Sequence, residues 1–231
     1  MHSEAISYLQ RHFVFSGKAD ANLDVSIAAH IPMPALDPVF VIPERLVSFS
    51  DVPKGITLPG YVHDSEAGVH FYIDDYRFHC IMTHTDRYIS ILENYKCVFT
   101  PDVSLYRDME LNGQIINSYH GKAVGRLMQD AGICVIPTVS WSDERSFSFC
   151  FEGLPSHSVV SISSVGISRD KEAMRLFELG YNEMIRRLEP STILLYGPLL
   201  KMNFGNVPIR QYDNTNFVWT KTICSSHKEV I

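Results

Sequence analysis

The feature that most constrains this chain is an alternation, between residues 68 and 196, of short apolar runs with longer segments of helical length. The apolar runs are continuous, which is typical of strands that a parallel sheet buries on both faces. Strands that alternate with helices also indicate parallel pairing through crossover connections. The sequence therefore predicts an α/β fold of repeated strand–helix units with a mainly parallel sheet.

Individual elements follow from the same pattern. Strands are predicted at Arg77–Met82, Lys96–Thr100, Ile133–Val139, Ser158–Ser163 and Thr192–Tyr196, with weaker candidates at Val39–Ile42, Gly68–Asp75 and Pro208–Asp213. Helices are predicted at Thr85–Tyr95, Gln114–Asp130, Asp143–Phe151 and Asp170–Leu188, with a weaker candidate at Glu4–Phe13.

Two architectures accommodate this order of elements. One is a partial or distorted (β/α) barrel, and the other is an open doubly wound sheet. No predicted strand is followed by a glycine-rich dinucleotide fingerprint, which is the main positive sign of a doubly wound nucleotide-binding domain. The barrel-like architecture is therefore favoured.

The chain divides into three parts. Six prolines between residues 31 and 60 exclude a long helix there, because each removes a backbone donor and fixes φ. An extended segment packed across the main body is expected instead. We predict a chain-specific N-terminal extension at residues 1–36, a single α/β domain at 37–213 and a C-terminal tail at 214–231.

Charge and cysteine content argue against several classes of protein. The formal net charge of −6 and the scattered basic residues make nucleic-acid binding an unfavoured function. The five cysteines are dispersed, so buried reduced thiols are expected rather than a disulfide scaffold. The first residues lack the pattern of a secretory leader, and no apolar run is long enough to cross a bilayer. A cytoplasmic protein without a membrane partner is expected.

Candidate functional residues follow from strand direction. In both architectures, ligands bind beyond the C-terminal ends of parallel strands. Polar and aromatic side chains recur at these positions. The predicted ligand-binding residues are Ser104, Tyr106, Trp141, Ser142, Arg145, Ser163, Ser164, Gly166 and Gly197, and the candidate catalytic carboxylates are Asp102 and Asp143.

The segment TPDVSLYRDM carries the first candidates. Pro101 ends the preceding strand, so Asp102 emerges at its edge. Asp102 is a candidate acid, base or cation ligand, and Tyr106 is a candidate binding side chain. The alternative is that Asp102 caps the following turn while Tyr106 packs against the core.

The segment PTVSWSDERSF carries the second candidates. Trp141 is placed to stack on a ligand ring, and Arg145 is suited to a two-point grip on phosphate or carboxylate. The alternative is that Ser142 caps a helix whose first turn holds Asp143 and Glu144, while Arg145 makes a surface ion pair.

The loop SISSVGISRD is a third candidate. Serines and a glycine between a strand and a helix can bind an anion through hydroxyls and backbone N–H groups. The loop lacks the lysine and glycine spacing of a P-loop. Ordinary turn chemistry also accounts for its composition, and this alternative is favoured.

Metal binding has weaker support. The histidines are not spaced as in HExxH or another paired motif. A magnesium site built from His84, Asp86, Asp102 and Asp143 is an expectation that depends entirely on the predicted fold. No resident cofactor is predicted.

Six runs occur in fixed order along the chain: VIPERLVSFSD, GVHFYIDDYRF, CVFTPDVSLYRDM, VIPTVSWSDERSFSFCFEGLP, SVVSISSVG and a closing LYG. Together they resemble an uncharacterised domain-of-unknown-function family of tailed phages, prophages, plasmids and integrative elements. The resemblance implies a mobile-element accessory protein, often encoded near replication or recombination genes. The family's recurrent residues correspond to Asp102, Ser104, Tyr106, Trp141, Ser142, Asp143 and Gly166. The segment Tyr119–Gly125 carries less arginine than the family pattern, which argues against a basic role there.

Three functions fit these observations. The first is a phage or mobile-element accessory protein that binds a small anionic ligand, such as a nucleotide or phosphorylated compound, at the C-terminal ends of its strands. The second is an interaction factor that acts on a host or phage replication or defence protein without catalysis. The third is a DNA replication accessory. The residue pattern identifies no reaction and no oligomeric state.

Overall fold

The computed structural model describes residues 31–52 and 64–213. The strands in these ranges are β1 (Arg45–Ser48), β2 (Ala67–His70), β3 (Cys97–Phe99), β4 (Val135–Ile136), β5 (Val159–Ser163), β6 (Thr192–Tyr196) and β7 (Ile209–Tyr212). The α-helices are α1 (Asp75–Thr83), α2 (Thr85–Leu92), α3 (Leu111–Asp130) and α4 (Lys171–Leu188). In this part of the chain, no helix has both the length and the apolar character needed to cross a membrane. The candidate helix at Glu4–Phe13 and the predicted tail lie outside the described residues.

All of these strands pair in parallel and in chain order. The first four form one sheet, and β5 to β7 form a second sheet. Helices α1 and α2 connect β2 to β3, α3 connects β3 to β4, and α4 connects β5 to β6. The predicted α/β fold with mainly parallel pairing is confirmed.

A short segment after β4 joins the two sheets. Thr138 forms a parallel bridge with Ser161. The Val139 N–H donates to the Ser161 carbonyl and the Ser161 N–H donates to the Pro137 carbonyl, both at 2.8 Å. On its other side, the Thr138 N–H donates to Thr100 Oγ1 at 2.8 Å, and the Thr138 hydroxyl donates to the Thr100 carbonyl at 2.9 Å. This segment therefore continues the pairing from β3 across to β5.

Neighbouring residues on a strand face different apolar layers. Val98 packs among the helices of the first sheet, whereas Phe99 belongs to a cluster that both sheets share. In the second sheet, Ile193 packs towards α4, whereas Leu194 belongs to the shared cluster. Helices therefore cover the outer faces of the sheets, and the inner faces enclose one common layer.

The last strand lies close to the chain that precedes the first. The Tyr212 hydroxyl donates to the Pro43 carbonyl at 2.5 Å. Within the described ranges, however, no backbone ladder joins β7 to β1, and the strands form two sheets. The barrel-like architecture therefore stays a prediction.

The predicted strand at Arg77–Met82 is wrong, because these residues lie within α1. Phe78, Ile81 and Met82 are the buried residues of this helix. Ile81 and Met82 lie three and four residues after Phe78, which places all three side chains on one helical face. The apolar run is therefore the buried stripe of a helix.

The proline-rich segment contains a strand at a different position from the one predicted. Strand β1 begins at Arg45, whereas Val39–Ile42 forms no strand. Val39 still attaches to the second sheet, since its carbonyl accepts from the Val159 N–H at 2.8 Å and its N–H donates to Ser158 Oγ at 2.9 Å.

Two further elements are shorter than predicted. The helix expected at Asp143–Phe151 is only a 3₁₀ turn at Glu144–Ser148. The residue that caps this turn is Asp143 rather than Ser142. Asp143 Oδ1 accepts from the Arg145 N–H at 3.0 Å. Strand β4 ends just before Pro137, which has no N–H to donate. The strand predicted at Thr192–Tyr196 is found with the same end residues. The remaining helices and strands predicted within the described residues are found with one or both ends shifted.

Two glycines let α3 approach the end of β3. A Cβ added at Gly121 would lie 2.7 Å from the Pro101 carbonyl oxygen, and a Cβ at Gly125 would lie 2.5 Å from Thr100 Cγ2. Both separations are shorter than non-bonded contact. The missing side chains on α3 therefore determine where Thr100 and Pro101 lie, and with them Asp102.

We expect Gly121→Ala to lower the free energy of unfolding by about 1–3 kcal/mol, the usual cost of overpacking. The clash is with a backbone carbonyl, which no side-chain rotation relieves. Urea denaturation measures the effect. Gly113→Ala in the same helix is the matched control, because its Cβ would meet only the flexible Met109 side chain, at 3.2 Å. Equal losses in the two variants would contradict this account.

Candidate functional site

A cavity of about 250 Å³ lies beside the C-terminal ends of β3, β4 and β5. Its lining comes from the loop after β3, the segment after β4, the end of β5, the following 3₁₀ turn and the first half of α4. The lining residues are Asp102, Leu105, Tyr106, Arg107, Val139, Ser140, Trp141, Ser142, Ser163, Ile167, Ala173, Leu176 and Phe177. The residues from α4 are apolar, whereas the strand ends contribute most of the polar groups.

The cavity collects part of the set predicted from sequence. Asp102, Tyr106, Trp141, Ser142 and Ser163 line it. The residues that lie outside its lining are Ser104, Asp143, Arg145, Ser164, Gly166 and Gly197. Parallel strands deliver their following loops to one edge of a sheet, which explains why distant positions converge. The functional roles of both groups stay predictions.

Asp102 lies where the neutral acid is favoured. The pKa of its carboxyl is raised to about 7, first by burial and second by the negative charge of Asp75, while a hydrogen bond with Ser140 opposes the rise. The side chain nevertheless reaches the cavity. A carboxyl that titrates near neutral pH beside a cavity is suited to give or take a proton.

Helix α4 holds Trp141 in place. The indole Nε1 donates to the Leu176 carbonyl at 3.1 Å, and the ring centroid lies 5.4 Å from that of Phe177. Gly180 makes room for the ring, since a Cβ there would lie 2.1 Å from the indole nitrogen. Trp141 therefore forms a fixed apolar wall of the cavity.

Two arginines near the mouth have different surroundings. Arg145 donates through Nε and Nη2 to both carboxylate oxygens of Asp143, at 2.8–3.1 Å. This pairing lowers the pKa of Asp143. Arg107 instead lines the cavity, is half exposed, and pairs loosely with Asp170 at 3.4 Å. Arg107, not Arg145, is thus the cation that faces the cavity.

Ser104 anchors the loop after β3, in which Tyr106 also lies. The Ser104 N–H and hydroxyl both donate to the Asp75 carboxylate, at 3.2 and 2.9 Å. The Ser104 carbonyl accepts from the Asn117 side-chain amide at 2.8 Å. Ser104 therefore ties this loop to α1 and α3 and so positions Tyr106 and Arg107.

The hydroxyls of the serine–glycine loop after β5 already bond to backbone groups of the protein. Ser163 Oγ accepts a backbone N–H two residues later at 3.3 Å, and the Ser164 hydroxyl donates to the Pro198 carbonyl at 2.6 Å. Gly166 and Gly197 have φ angles of +83° and +108°. These values lie in the region that favours glycine. Turn geometry accounts for this composition, as the alternative interpretation states.

A buried polar layer adjoins Asp102. The Tyr72 hydroxyl lies 2.5 Å from Ser161 Oγ, and its ring stacks on Tyr196 with centroids 4.9 Å apart. Burial and the charge of Asp102 raise the pKa of Tyr72 well above its ordinary value. His70 Nδ1 accepts from the Tyr72 N–H at 3.2 Å, while its Nε2 is buried without a partner among the described residues. Burial lowers the pKa of His70 to about 4, so the ring is neutral.

Sequence reasoning missed several of these residues. Arg107 and Ser140 are direct neighbours of predicted positions, so treating each loop as a whole would have found them. Phe177 belongs to the buried stripe of α4, which the amphipathic pattern of that helix does show. Tyr72 has no sequence signal beyond its place just after a strand.

The expected magnesium cluster is not formed. In the described part of the chain, no group of three or more His, Cys, Asp or Glu side chains is arranged to hold a metal ion. His84 and Asp86 follow helix α1 rather than a strand, so they do not share the strand-end edge with Asp102.

Comparison with protein families identifies the group to which these motifs belong. A family model described as "Domain of unknown function (DUF4417)" matches residues 25–213. The chain belongs to this family. The match includes every residue that lines the cavity, and it confirms the resemblance seen in the motifs.

Two phage proteins are similar to this DUF4417 chain. The Gene 1 protein of Mycobacterium phage D29 is 33% identical over 181 residues, which cover 78% of this chain and 66% of that protein. The Gene 1 protein of Mycobacterium phage L5 is 34% identical over 181 residues, covering 78% of this chain and 77% of that protein. The chain thus spans just under two thirds of the length of the D29 protein. Among solved structures, the comparison finds no match.

We expect Gly180→Ala to displace Trp141 from the cavity wall and to lower the free energy of unfolding by about 1–3 kcal/mol. This loss would outweigh the gain of roughly 1 kcal/mol that alanine normally brings inside a helix. Tryptophan emission in a Trp219→Phe background should shift to longer wavelength, because Trp141 becomes exposed. Glu178→Ala, at an exposed position of the same helix, is the control. A stability gain with unchanged emission would count against the contact.

We expect Asp102→Asn to stabilise the protein above pH 7. The native carboxyl has a pKa of about 7 and the unfolded one about 3.9, so the native state binds more protons between these values. The contribution of this carboxyl to the free energy of unfolding therefore falls as pH rises from about 4 to 7. The advantage of the variant should approach zero near pH 4 and reach at most about 4 kcal/mol above pH 7.

Urea denaturation at several pH values measures this difference. Asp143→Asn is the control with the opposite sign, because pairing with Arg145 lowers the pKa of Asp143 and this stabilisation is present at neutral pH and lost in acid. If the difference in the free energy of unfolding between Asp102→Asn and the unmodified protein does not vary with pH, the pKa of Asp102 is not raised in the folded protein.

Proposed function

We propose that the protein is a phage or mobile-element accessory protein that binds a small anionic ligand, a nucleotide or phosphorylated compound, in the cavity at its strand ends. The observation that carries this proposal is the convergence of Asp102, Tyr106, Trp141 and Arg107 on one cavity. These residues combine an aromatic wall, a cation and a titratable acid, which is the usual composition of a small-molecule site. The similarity to mycobacteriophage proteins supports the mobile-element context.

Each part of the lining suits a different part of such a ligand. Trp141 and Phe177 offer apolar surface to a planar ring. The Arg107 guanidinium is suited to a phosphoryl group, which it can hold through two hydrogen bonds. Ser142 is already committed, because its hydroxyl donates to Gln114 Oε1 at 2.6 Å, and it shapes the wall rather than contacting the ligand.

Asp102 has a second role in this proposal. Near neutral pH it accepts or donates a hydrogen bond according to its protonation state, and it can act as a general acid or base on a bound ligand. The proposal requires binding only, and catalysis would be an additional property of the same carboxyl.

We expect a thermal shift with at least one member of a panel of nucleosides, nucleotides, ribose 5-phosphate and inorganic phosphate. A ligand at one hundred times its Kd adds about 2.7 kcal/mol, which for a domain of this size raises Tm by roughly 5–10 °C. Asp102→Asn should change the Kd, whereas Asp143→Asn should not, because only the first of these carboxylates lines the cavity. A folded protein whose Tm no panel member alters would exclude the proposal.

A specific observation also favours the second candidate, a protein–protein interaction factor. Tyr76, Tyr106, Val165 and Leu199 are exposed, by 79%, 60%, 44% and 57%. All four follow the C-terminal ends of strands, where they would supply apolar contacts to a partner. Unchanged capture of a partner by the Asp102→Ala/Trp141→Ala variant would support this candidate over ligand binding.

A further inference from the structure

We infer that the ligand of this cavity carries one planar ring and a single phosphoryl group, so that a nucleoside monophosphate binds more tightly than the corresponding di- or triphosphate. This inference rests on the proposed function and narrows its ligand. It follows from the size of the cavity, from the charges of its lining and from the charges around its mouth.

The cavity is small. Its volume of about 250 Å³ lies just below the range of about 300–1,000 Å³ for sites of drug-sized ligands. Trp141 and Phe177 have their ring centroids 5.4 Å apart at an interplanar angle of 45°, so they form one continuous wall. Such a cavity suits one ring system with a short substituent, not an extended chain of phosphates.

The lining provides one cationic side chain. Among the described residues that line the cavity, Arg107 alone has a cationic side chain, and Asp102 alone has a carboxyl. A guanidinium holds one phosphoryl group through paired hydrogen bonds. A second phosphate in the cavity would meet no further cation of the lining and would approach Asp102.

The mouth already carries more carboxylates than guanidiniums. The ion pairs of this network are Arg107–Asp170 at 3.4 Å, Arg145–Asp143 at 2.8 Å, Arg175–Glu172 at 2.8 Å and Arg175–Glu144 at 3.5 Å. Three arginines thus serve four carboxylates. Each of these arginines already has a carboxylate partner, so the outer phosphates of a triphosphate would have to compete with those carboxylates for a guanidinium.

The N–H groups at the start of α4 are not an alternative site for phosphates, because the Asp170 carboxylate already bonds to them. Helix N-termini bind anions through unpaired N–H groups. Here Asp170 Oδ1 accepts from the Glu172 N–H at 2.8 Å, and the Asp170 carboxylate also bonds the Ala173 N–H. The Glu172 carboxylate lies in the first turn. The Asp170 carboxylate therefore takes up two of the N–H groups that a phosphate would otherwise bind, and Glu172 adds a second negative charge beside Lys171.

Isothermal titration calorimetry tests this inference with adenosine, AMP, ADP and ATP, and with the corresponding guanosine, cytidine and uridine series, in magnesium-free buffer. In the series that binds, the monophosphate should bind about tenfold or more tightly than both the nucleoside and the triphosphate. Arg107→Leu should bring the Kd of the monophosphate close to that of the nucleoside. Arg175→Leu, which removes a mouth arginine outside the lining, should preserve the preference for the monophosphate.

The alternative outcomes separate the two proposals. Equal or tighter binding of the di- or triphosphate would overturn this inference and leave ligand binding in place. A monophosphate preference that survives Arg107→Leu would also overturn it, because the phosphoryl group would then be held elsewhere. Binding of no compound in any series would overturn the inference, whereas the proposed function falls only if ribose 5-phosphate and inorganic phosphate also leave the Tm unchanged. Unchanged Tm values of the free variants establish that each is folded, since both arginines are half exposed.

Discussion

The hydrogen bonds of Thr138 join the two sheets beside the cavity, and the position of the cavity depends on them. On one side Thr138 is bound twice to Thr100, and on the other it bridges to Ser161. Besides this segment, the two sheets are related by their shared apolar layer and by side-chain contacts such as that of the Tyr72 hydroxyl with Ser161 Oγ. Asp102 follows Thr100 by two residues and Trp141 follows Thr138 by three. The same contacts that join the sheets therefore set the distance between the acid and the aromatic wall of the cavity.

Buried polar groups in this protein are of two kinds. The Lys122 Nζ is buried but satisfied, since it donates to the carbonyls of Phe149 and Cys150 at 3.0 Å, and it fastens α3 to the turn that follows the cavity segment. His70 is buried at a cost, because its Nε2 has no partner among the described residues. Asp102 is half-buried, and its carboxyl resists ionisation. Proteins retain such costs mainly where function requires them. Of these two groups, only Asp102 lines the cavity, and for this reason Asp102 is the candidate functional group.

Parallel pairing explains how much could be predicted from the sequence. Once the strands were known to run in one direction, Asp102 and Trp141 had to reach the same edge, although 39 residues separate them. Arg77–Met82 was misassigned because six residues are too few for a period of 2 to be told from one of 3.6 in a continuous apolar run. The sequence predicts Arg145 as the cation of the site, but Arg145 makes a close pair with Asp143 whereas Arg107 pairs loosely with Asp170 and lines the cavity. Sequence spacing does not encode this difference in pairing, so only the structure decides it.

The sequential order of the strands affects how this chain assembles during synthesis. Each strand pairs with the one that left the ribosome immediately before it, so the first sheet can grow strand by strand as the chain emerges. The edge at β4 is different, because the bridge at Thr138 cannot form until Ser161 has been synthesised. Over the interval in which those residues are translated, an apolar strand edge stands open to other chains. Slow translation across this stretch would lengthen the time for which the β4 edge is unpaired.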